Sequence, residues 1–216
     1  MPAAPKPVAP PRLDDLTTAP QDWAVPADDL VADTLLGALD LSERELELVD
    51  VQGCRLAGTR VAGSHWYRTG WRDVEVDQAD LSNARFTDSG WTRVRARGSR
   101  LTGLSLAGAA VEDLEVTDSA MGFANLRQAR IRRARFTDTA LAEADLDAAS
   151  LEDVVFDGCD LTSARFTSVR VRRVVFRHCR LDGLQGLENL RGATIEPLDL
   201  TGLTHQLASA LGITLA

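Results

Sequence analysis

The chain has 216 residues, a length that suits one domain with tails. Aromatic residues make up only 5% of it and hydrophobic residues 44%, so small and aliphatic side chains must fill any core. This favours a thin, repetitive core over a globular one. The net charge of −8 argues against nucleic-acid binding by charge attraction alone, and no stretch approaches the ~18 apolar residues of a membrane-spanning helix.

Two segments precede the regular part of the sequence. Residues 1–26 hold seven of the eight prolines and are predicted to form a mostly disordered tail. The start of the chain lacks the apolar centre and basic flank of a secretory signal, so we expect a cytoplasmic protein. Residues 27–40 are predicted to form a short N-terminal cap, amphipathic or irregular, because they carry the apolar side chains Leu30, Val31, Leu35, Leu36 and Leu39.

A five-residue repeat fills residues 41–185. Every fifth residue from Leu41 to Leu181, here called the centre of a unit, is apolar, and Ala96 alone among the centres is small. The residue two positions before a centre is Ala, Ser, Thr, Cys or Val, and the exceptions are Leu39, Arg44, Leu104 and Leu114. A period of five fits neither an α-helix nor a strand, so the chain must turn after each unit.

Three stretches show the repeat most clearly: Ala79-Asp80-Leu81, Ala124-Asn125-Leu126 and Ala144-Asp145-Leu146. In these stretches the sequence resembles the pentapeptide-repeat family, whose consensus is Ala-Asp/Asn-Leu-X-X. The resemblance implies an all-β fold, a right-handed quadrilateral parallel β-helix with four units per coil and about seven coils in residues 41–185. It places the centre and the small residue inside and the other three residues outside.

A coil of twenty residues predicts which side chains stack on each other. We expect three internal aromatic columns, namely Phe136–Phe156–Phe176, Trp71–Trp91 and Trp66–Phe86. Eight glycines lie two residues after a centre, at a corner where unusual φ angles favour glycine: Gly53, Gly58, Gly63, Gly98, Gly103, Gly108, Gly158 and Gly183.

The same period orders the charges. One position along the stack alternates in sign, and we call it the Asp/Arg column: Asp73, Arg93, Asp113, Arg133, Asp153 and Arg173. Opposite charges would lie one strand spacing of ~4.8 Å apart, which favours an ion-pair network that also fixes the register of the coils. The alternative is an arginine surface kept for a ligand.

The sequence indicates no catalytic, cofactor-binding or metal-binding residues. Cys54, Cys159 and Cys179 lie at the small inward position, where a cysteine acts as a buried apolar side chain, and an odd number of cysteines does not suggest a disulfide framework. His65 and His178 are predicted to point outward on well-separated coils. We therefore expect no metal cluster and no catalytic set, and predict that the chain is not an enzyme.

The repeat ends before the chain does. Its phase breaks after Gly183 and resumes one residue out of step at residues 193–195. Residues 186–216 are predicted to hold the last partial coil and a C-terminal helical cap that ends at Gly212. The apolar stripe of that cap is Leu200, Leu203, Leu207 and Leu211. The cap is either a lid on the last coil or a homodimer contact, because residues 190–195 resemble a segment of gyrase-inhibiting members of the family that dimerise there.

Two functions remain open. The first is a non-catalytic protein-interaction or scaffolding module that presents flat faces to an unidentified protein partner. The second comes from the resemblance alone, since some family members mimic B-DNA, bind DNA gyrase or another type II topoisomerase, and confer resistance to topoisomerase poisons. Two features weaken it: residues 41–185 are nearly neutral, with 21 basic and 22 acidic side chains, and their unbroken phase leaves no inserted loop. Neither function predicts a cofactor, direct nucleic-acid contact or membrane contact.

Overall fold

The chain winds into a parallel β-solenoid of about nine turns. The computed structural model describes residues 3–20, 25 and 30–210. Most of the strands within these residues belong to one sheet of parallel pairs, and a smaller three-stranded sheet forms another side. The predicted fold class is therefore confirmed, with more turns than the seven expected for the repeat alone.

The strands are short at the start and eight residues long in the middle. In chain order they are β1 Thr17–Thr18, β2 Leu30–Ala32, β3 Thr34–Leu36, β4 Glu45–Glu47, β5 Asp50–Gln52, β6 Arg55–Ala57, β7 His65–Tyr67, β8 Gly70–Asp77, β9 Arg85–Thr87, β10 Gly90–Arg97, β11 Ala110–Thr117, β12 Arg130–Thr137, β13 Ser150–Asp157, β14 Arg170–Arg177 and β15 Thr194–Ile195. Helical turns follow, as the 3-10 helices Leu187–Leu190 and Asp199–Leu203 and the α-helix α1, Thr204–Ala210. Among the described residues, none of these helices has the length and apolar character needed to cross a membrane.

A constant offset of twenty residues relates neighbouring strands. Gly90 of β10 is paired with Gly70 on one side and with Ala110 on the other. Since the offset does not change from β8 to β14, side chains twenty residues apart form columns along the solenoid. At the far end Phe176 pairs with Ile195, nineteen residues on, which confirms the one-residue slip predicted from the sequence.

The aromatic columns fill the interior as predicted. The rings of Phe136, Phe156 and Phe176 are stacked with centroids 5.1 Å apart and interplanar angles of 9° and 8°. Two further stacked pairs complete the set, Trp71–Trp91 at 5.2 Å and Trp66–Phe86 at 5.6 Å. All seven side chains are buried, so the aromatic content of the repeat's centres is core and not a binding surface.

The corners of the solenoid share one backbone conformation. All eight predicted corner glycines have φ between 57° and 72°. The 22 non-glycine residues with positive φ also lie two residues after a centre, among the residues that the structure describes. The fold therefore imposes a left-handed conformation there whichever residue is present, although a non-glycine residue pays roughly 1–2 kcal/mol for it.

The first turn begins earlier than the sequence indicated. Val31 pairs with Val51 and Leu36 with Leu56 at the usual offset, and both Val31 and Leu36 are buried. The stretch 27–40, expected to be an amphipathic or irregular cap, thus contributes an additional turn from residue 30 onward. Val31 and Leu36 continue the centre positions backward, but the dense leucines around them obscured the five-residue period.

Candidate interaction surfaces

Among the side chains that the structure describes, the cysteines and histidines form no reactive cluster. Cys54 and Cys159 are buried, and their thiols donate to backbone carbonyls; burial raises the pKa of Cys54. His65 contacts Glu45 and Thr87 on one side of the solenoid. His178 is exposed, and hydrogen bonding to Asp157 raises its pKa. Within the described residues, no group of three His, Cys, Asp or Glu side chains could hold a metal ion.

The Asp/Arg column contains three Asp–Arg ion pairs. The Nε of Arg93 donates to Oδ1 of Asp73 at 2.6 Å, and its Nη2 donates to Oδ2 of the same carboxylate at 2.6 Å. Arg133 binds Asp113 in the same two-pronged way at 2.7 and 2.8 Å. The third pair of this kind is Arg173–Asp153. Each arginine therefore binds the aspartate of the preceding turn. Arg133 and Arg173 also bind Glu112 and Glu152 respectively, and Arg132 contacts both of these glutamates, so the second and third pairs belong to one ion-pair network that includes the neighbouring column.

These carboxylates are buried and strongly held in the charged form. The hydrogen bonds from Arg173 hold the pKa of Asp153 at about 2, although burial opposes this shift. Burial works against ionisation of Asp113 too, yet hydrogen bonds from Arg133 and from a backbone N–H lower its pKa. The side chains of Asp73, Asp113 and Asp153 are 9%, 6% and 4% exposed. Paired two-pronged contacts at such low exposure are stronger than ordinary surface ion pairs.

The column one position before the Asp/Arg column contains Glu112, Arg132, Glu152 and Arg172. Its charges form ion pairs with both the preceding and the following turn. Arg132 lies between Glu112 at 3.7 Å and Glu152 at 3.5 Å, and Arg172 reaches Glu152 at 3.0 Å. Arg132 and Arg172 are thus engaged by carboxylates one turn away. This pairing favours the structural interpretation of the arginine clusters over an arginine surface kept for a ligand.

The proline-rich N-terminal segment lies along the Asp/Arg column. The backbone N–H groups of Lys6, Ala9 and Arg12 donate to Oδ1 of an aspartate at 3.0 Å each, and their acceptors are Asp153, Asp113 and Asp73 respectively. The proline content of residues 1–26 predicts a mostly disordered tail. These contacts could not be predicted from it, because composition alone carries no information about a docking surface. The signal in the sequence was a match of two spacings: the N–H donors of the tail are three residues apart, and the aspartates that accept from them are forty residues apart.

An apolar patch interrupts the charges on a different side. Its outward column carries ion pairs at both ends, Arg100 with Asp80 at 2.9 Å and Arg180 with Asp160 at 3.1 Å. Between them two turns present no charge in this column. We call this region the apolar patch, and it consists of Ala120, Gly122, Phe123, Ala140 and Ala142.

Phe123 dominates the apolar patch. Its side chain is 60% exposed, and its backbone lies at a corner with φ of 57°. The corner positions one turn before and one turn after Phe123 are Gly103 and Glu143, which also have positive φ angles. Sequence reasoning missed Phe123 because it followed the centres, where aromatic residues are buried. The available signal was a phenylalanine outside the centre positions.

Comparison with known proteins agrees with this geometry. Residues 117–185 match a family model described as a pentapeptide repeat region. The chain thus contains a pentapeptide repeat region. A search of curated proteins finds no match.

Solved pentapeptide-repeat structures resemble the chain only distantly. A trypsin-treated variant of QnrB1, a plasmid-mediated fluoroquinolone resistance protein, is 17% identical over 92% of this chain and 96% of its own, with a TM-score of 0.39. HetL, involved in heterocyst differentiation regulation in the cyanobacterium Nostoc sp. strain PCC 7120, is 18% identical over 77% of this chain and 89% of its own, with a TM-score of 0.37. At these TM-scores neither likeness carries an argument about function.

The C-terminal element of the chain covers the end of the core. Leu203 is buried with the core side chains and Leu207 is half-buried against them, whereas Leu200 is exposed. Part of the predicted leucine stripe therefore acts as a lid. Leu211 and Gly212 lie outside the described residues, and the homodimer contact remains a prediction.

Proposed function

We propose that the chain is a non-catalytic protein-interaction module that binds a protein partner through the apolar patch. The observation that carries this proposal is Phe123, a large apolar side chain that is 60% exposed at a corner where the backbone conformation is unfavourable for it. A side chain that gains little from the core and adds strain is explained most simply by a contact made outside the chain.

The surroundings of Phe123 have the anatomy of a binding hot spot. Single exposed apolar residues are ordinary on protein surfaces. Here, however, Phe123 lies near an outward column that carries alanine, Ala120 and Ala140, over two successive turns, and ion pairs flank this uncharged stretch on both sides. The next residue in the corner column of Phe123 is the charged Glu143. An aromatic anchor in an apolar centre with a polar rim is the common arrangement of protein–protein interfaces.

A DNA-mimic function has less support from the surface. Binding in the DNA site of a topoisomerase calls for a continuous acidic surface, whereas the described turns alternate acidic and basic side chains that pair with each other. A supercoiling assay with purified DNA gyrase tests this alternative. We expect neither inhibition nor drug protection at micromolar protein, and clear inhibition would restore the alternative.

Site-specific photo-crosslinking in the native host tests the proposed function. A photoreactive phenylalanine analogue replaces Phe123, and in a control chain it replaces Asp88, which is also an exposed corner residue with positive φ. We expect a discrete protein adduct at position 123, at least about tenfold stronger than at position 88, because hot-spot residues lie at the centre of an interface. Equal labelling at both positions, or no adduct at 123, would contradict the proposal.

A variant that loses partner binding must also be shown to remain folded. Phe123→Asn provides this control, because Asn83 already occupies the same corner column with φ of 56°. The variant should unfold at or above the wild-type temperature, since asparagine tolerates the left-handed conformation better than phenylalanine does. It should nevertheless no longer co-purify with the crosslinked partner.

A further inference from the structure

The N-terminal segment, residues 3–14, is held by a regular set of contacts. Its three donors, Lys6, Ala9 and Arg12, are spaced three residues apart. Their acceptors are aspartates spaced forty residues apart, which is two turns of the solenoid. Two strand spacings amount to ~9.6 Å. Three residues of a polyproline-II helix advance ~9.3 Å, so the two repeats match closely.

The prolines of the segment fit this arrangement. Pro7, Pro10 and Pro11 lie between the donor positions, and Pro5 precedes the first of them. The residues that lack an N–H are therefore residues from which no hydrogen bond is required. Proline also fixes φ near the polyproline-II value, which lowers the entropy lost on docking. The half-buried positions of this stretch include Pro5, Val8 and Pro11, again three residues apart. One side of the segment therefore leans on the solenoid.

The solenoid offers a matching surface. In each aspartate of the Asp/Arg column, Oδ1 accepts both the Nε–H of the paired arginine and the N–H of the segment. The arginine thus orients the carboxylate, and only every second turn presents an acceptor. Val155, at the outward position two residues after Asp153, is buried as well.

We propose that the Asp/Arg column is a docking site for a basic, proline-rich peptide segment in the polyproline-II conformation, which the chain's own N-terminal segment occupies until such a segment of a partner protein replaces it. Three regularly spaced carboxylates select for an N–H at every third residue. They also favour positive side chains, and Lys6 and Arg12 both stand next to a contacted aspartate. The site is separate from the apolar patch, so this proposal does not depend on the proposed function of that patch.

Hydrogen exchange of the full-length chain, followed by NMR, tests the docking itself. The amides of Lys6, Ala9 and Arg12 should exchange at least about tenfold more slowly than those of Ala4 and Val8, because only the first three are hydrogen-bonded. Uniformly fast exchange throughout the segment would overturn the proposal.

A proline substitution isolates the role of the spaced donors. Ala9→Pro keeps a polyproline-II backbone and removes one N–H, so protection at Lys6 and Arg12 should fall at least about tenfold. Ala4→Pro is the matched control, because it adds a proline at an exposed position that is not one of the three donors, and it should leave protection unchanged. Equal behaviour of the two variants would count against the proposed recognition.

Exchange with another peptide is tested in trans. A fluorescent peptide with the sequence of residues 3–14 is titrated against full-length Ala9→Pro chain and against wild type, with anisotropy as the readout. We expect binding at least about tenfold tighter to the variant, whose own segment is loosened, and no binding of a peptide that has proline in place of Ala9. Absence of binding to the variant up to millimolar peptide would refute the replacement step, even if docking of the chain's own segment holds.

Discussion

Asp153 and Val155 lie two residues apart on β13, and both are buried although neither belongs to the inward columns. At most other outward positions of the repeat, polar side chains remain at least partly exposed to solvent. Asp153 is bound from outside the solenoid by the N-terminal segment, whose Lys6 N–H donates to its Oδ1. The position in the five-residue unit thus determines whether a side chain points inward or outward. Contacts from outside the solenoid can then bury an outward side chain.

Asp153 should make stability depend on acid pH. Its pKa lies below the unfolded value, at about 2 against 3.8, so its contribution is complete above pH ~4 and is lost as the pH falls toward 2. Asp153→Asn should cost about 2 kcal/mol of unfolding free energy at pH 7, and the gap to wild type should close near pH 2. Urea unfolding of both chains at pH 7, 4 and 2 measures this difference in unfolding free energy.

The control for this prediction is Asp160→Asn. Asp160 also pairs with an arginine twenty residues on, Arg180, but this pair is exposed, with 66% of the arginine side chain and 33% of the aspartate accessible. Exposed pairs are worth ~0–1 kcal/mol, so the control should change stability much less. An equal effect of both substitutions, or a gap for Asp153→Asn that stays constant with pH, would show that the ion pair is not the cause.

At the scale of the coil, the sequence was sufficient wherever the period held. The aromatic columns, the buried cysteines and the corner glycines all follow from a fixed phase and a twenty-residue turn, and they were predicted correctly. The first turn was missed because its centres, Val31 and Leu36, lie among further leucines. The docked N-terminal segment and Phe123 could not be predicted from the period, because their positions depend on contacts or exposure that a local pattern does not encode.

The last coil ends at a glycine that has no substitute. Gly186 has φ of 80°, and an added Cβ would lie 2.5 Å from the backbone carbonyl carbon of Phe166 and from the backbone nitrogen of Thr167. Gly186→Ala should therefore lower the unfolding free energy by about 3 kcal/mol or more, because it adds overpacking to left-handed strain. Denaturant unfolding with tryptophan fluorescence measures the loss.

Gly108→Ala separates the clash from the backbone strain. Gly108 has a similar φ of 72°, but an added Cβ would meet nothing within 4 Å. Its substitution should cost only roughly 1–2 kcal/mol, the penalty of left-handed backbone alone. If both variants lose the same amount, the close approach of the chain to the Phe166 turn does not hold in solution.

The whole molecule is a rod whose chemistry lies on its outside. The core side chains are stacked in columns, the described cysteines are buried within it, and the charged side chains pair along the faces. A rod of about nine turns is roughly 40 Å long at one strand spacing per turn. Such a shape offers regular surfaces along its length, and both proposed sites are surfaces of this kind. One is an apolar patch with an aromatic anchor, and the other is a column of carboxylates that holds an extended peptide.

The central claim is that residues twenty apart stack one strand spacing apart, and distances between spin labels test it most directly. Label pairs at Leu48→Cys with Ser168→Cys, and at Asp88→Cys with Ser168→Cys, occupy one exposed corner column, and the native cysteines are buried. Six and four turns separate the members of each pair, so narrow distributions near roughly 29 Å and 19 Å are expected, about 10 Å apart. Broad distributions, or a difference between the two pairs far from 10 Å, would contradict the account.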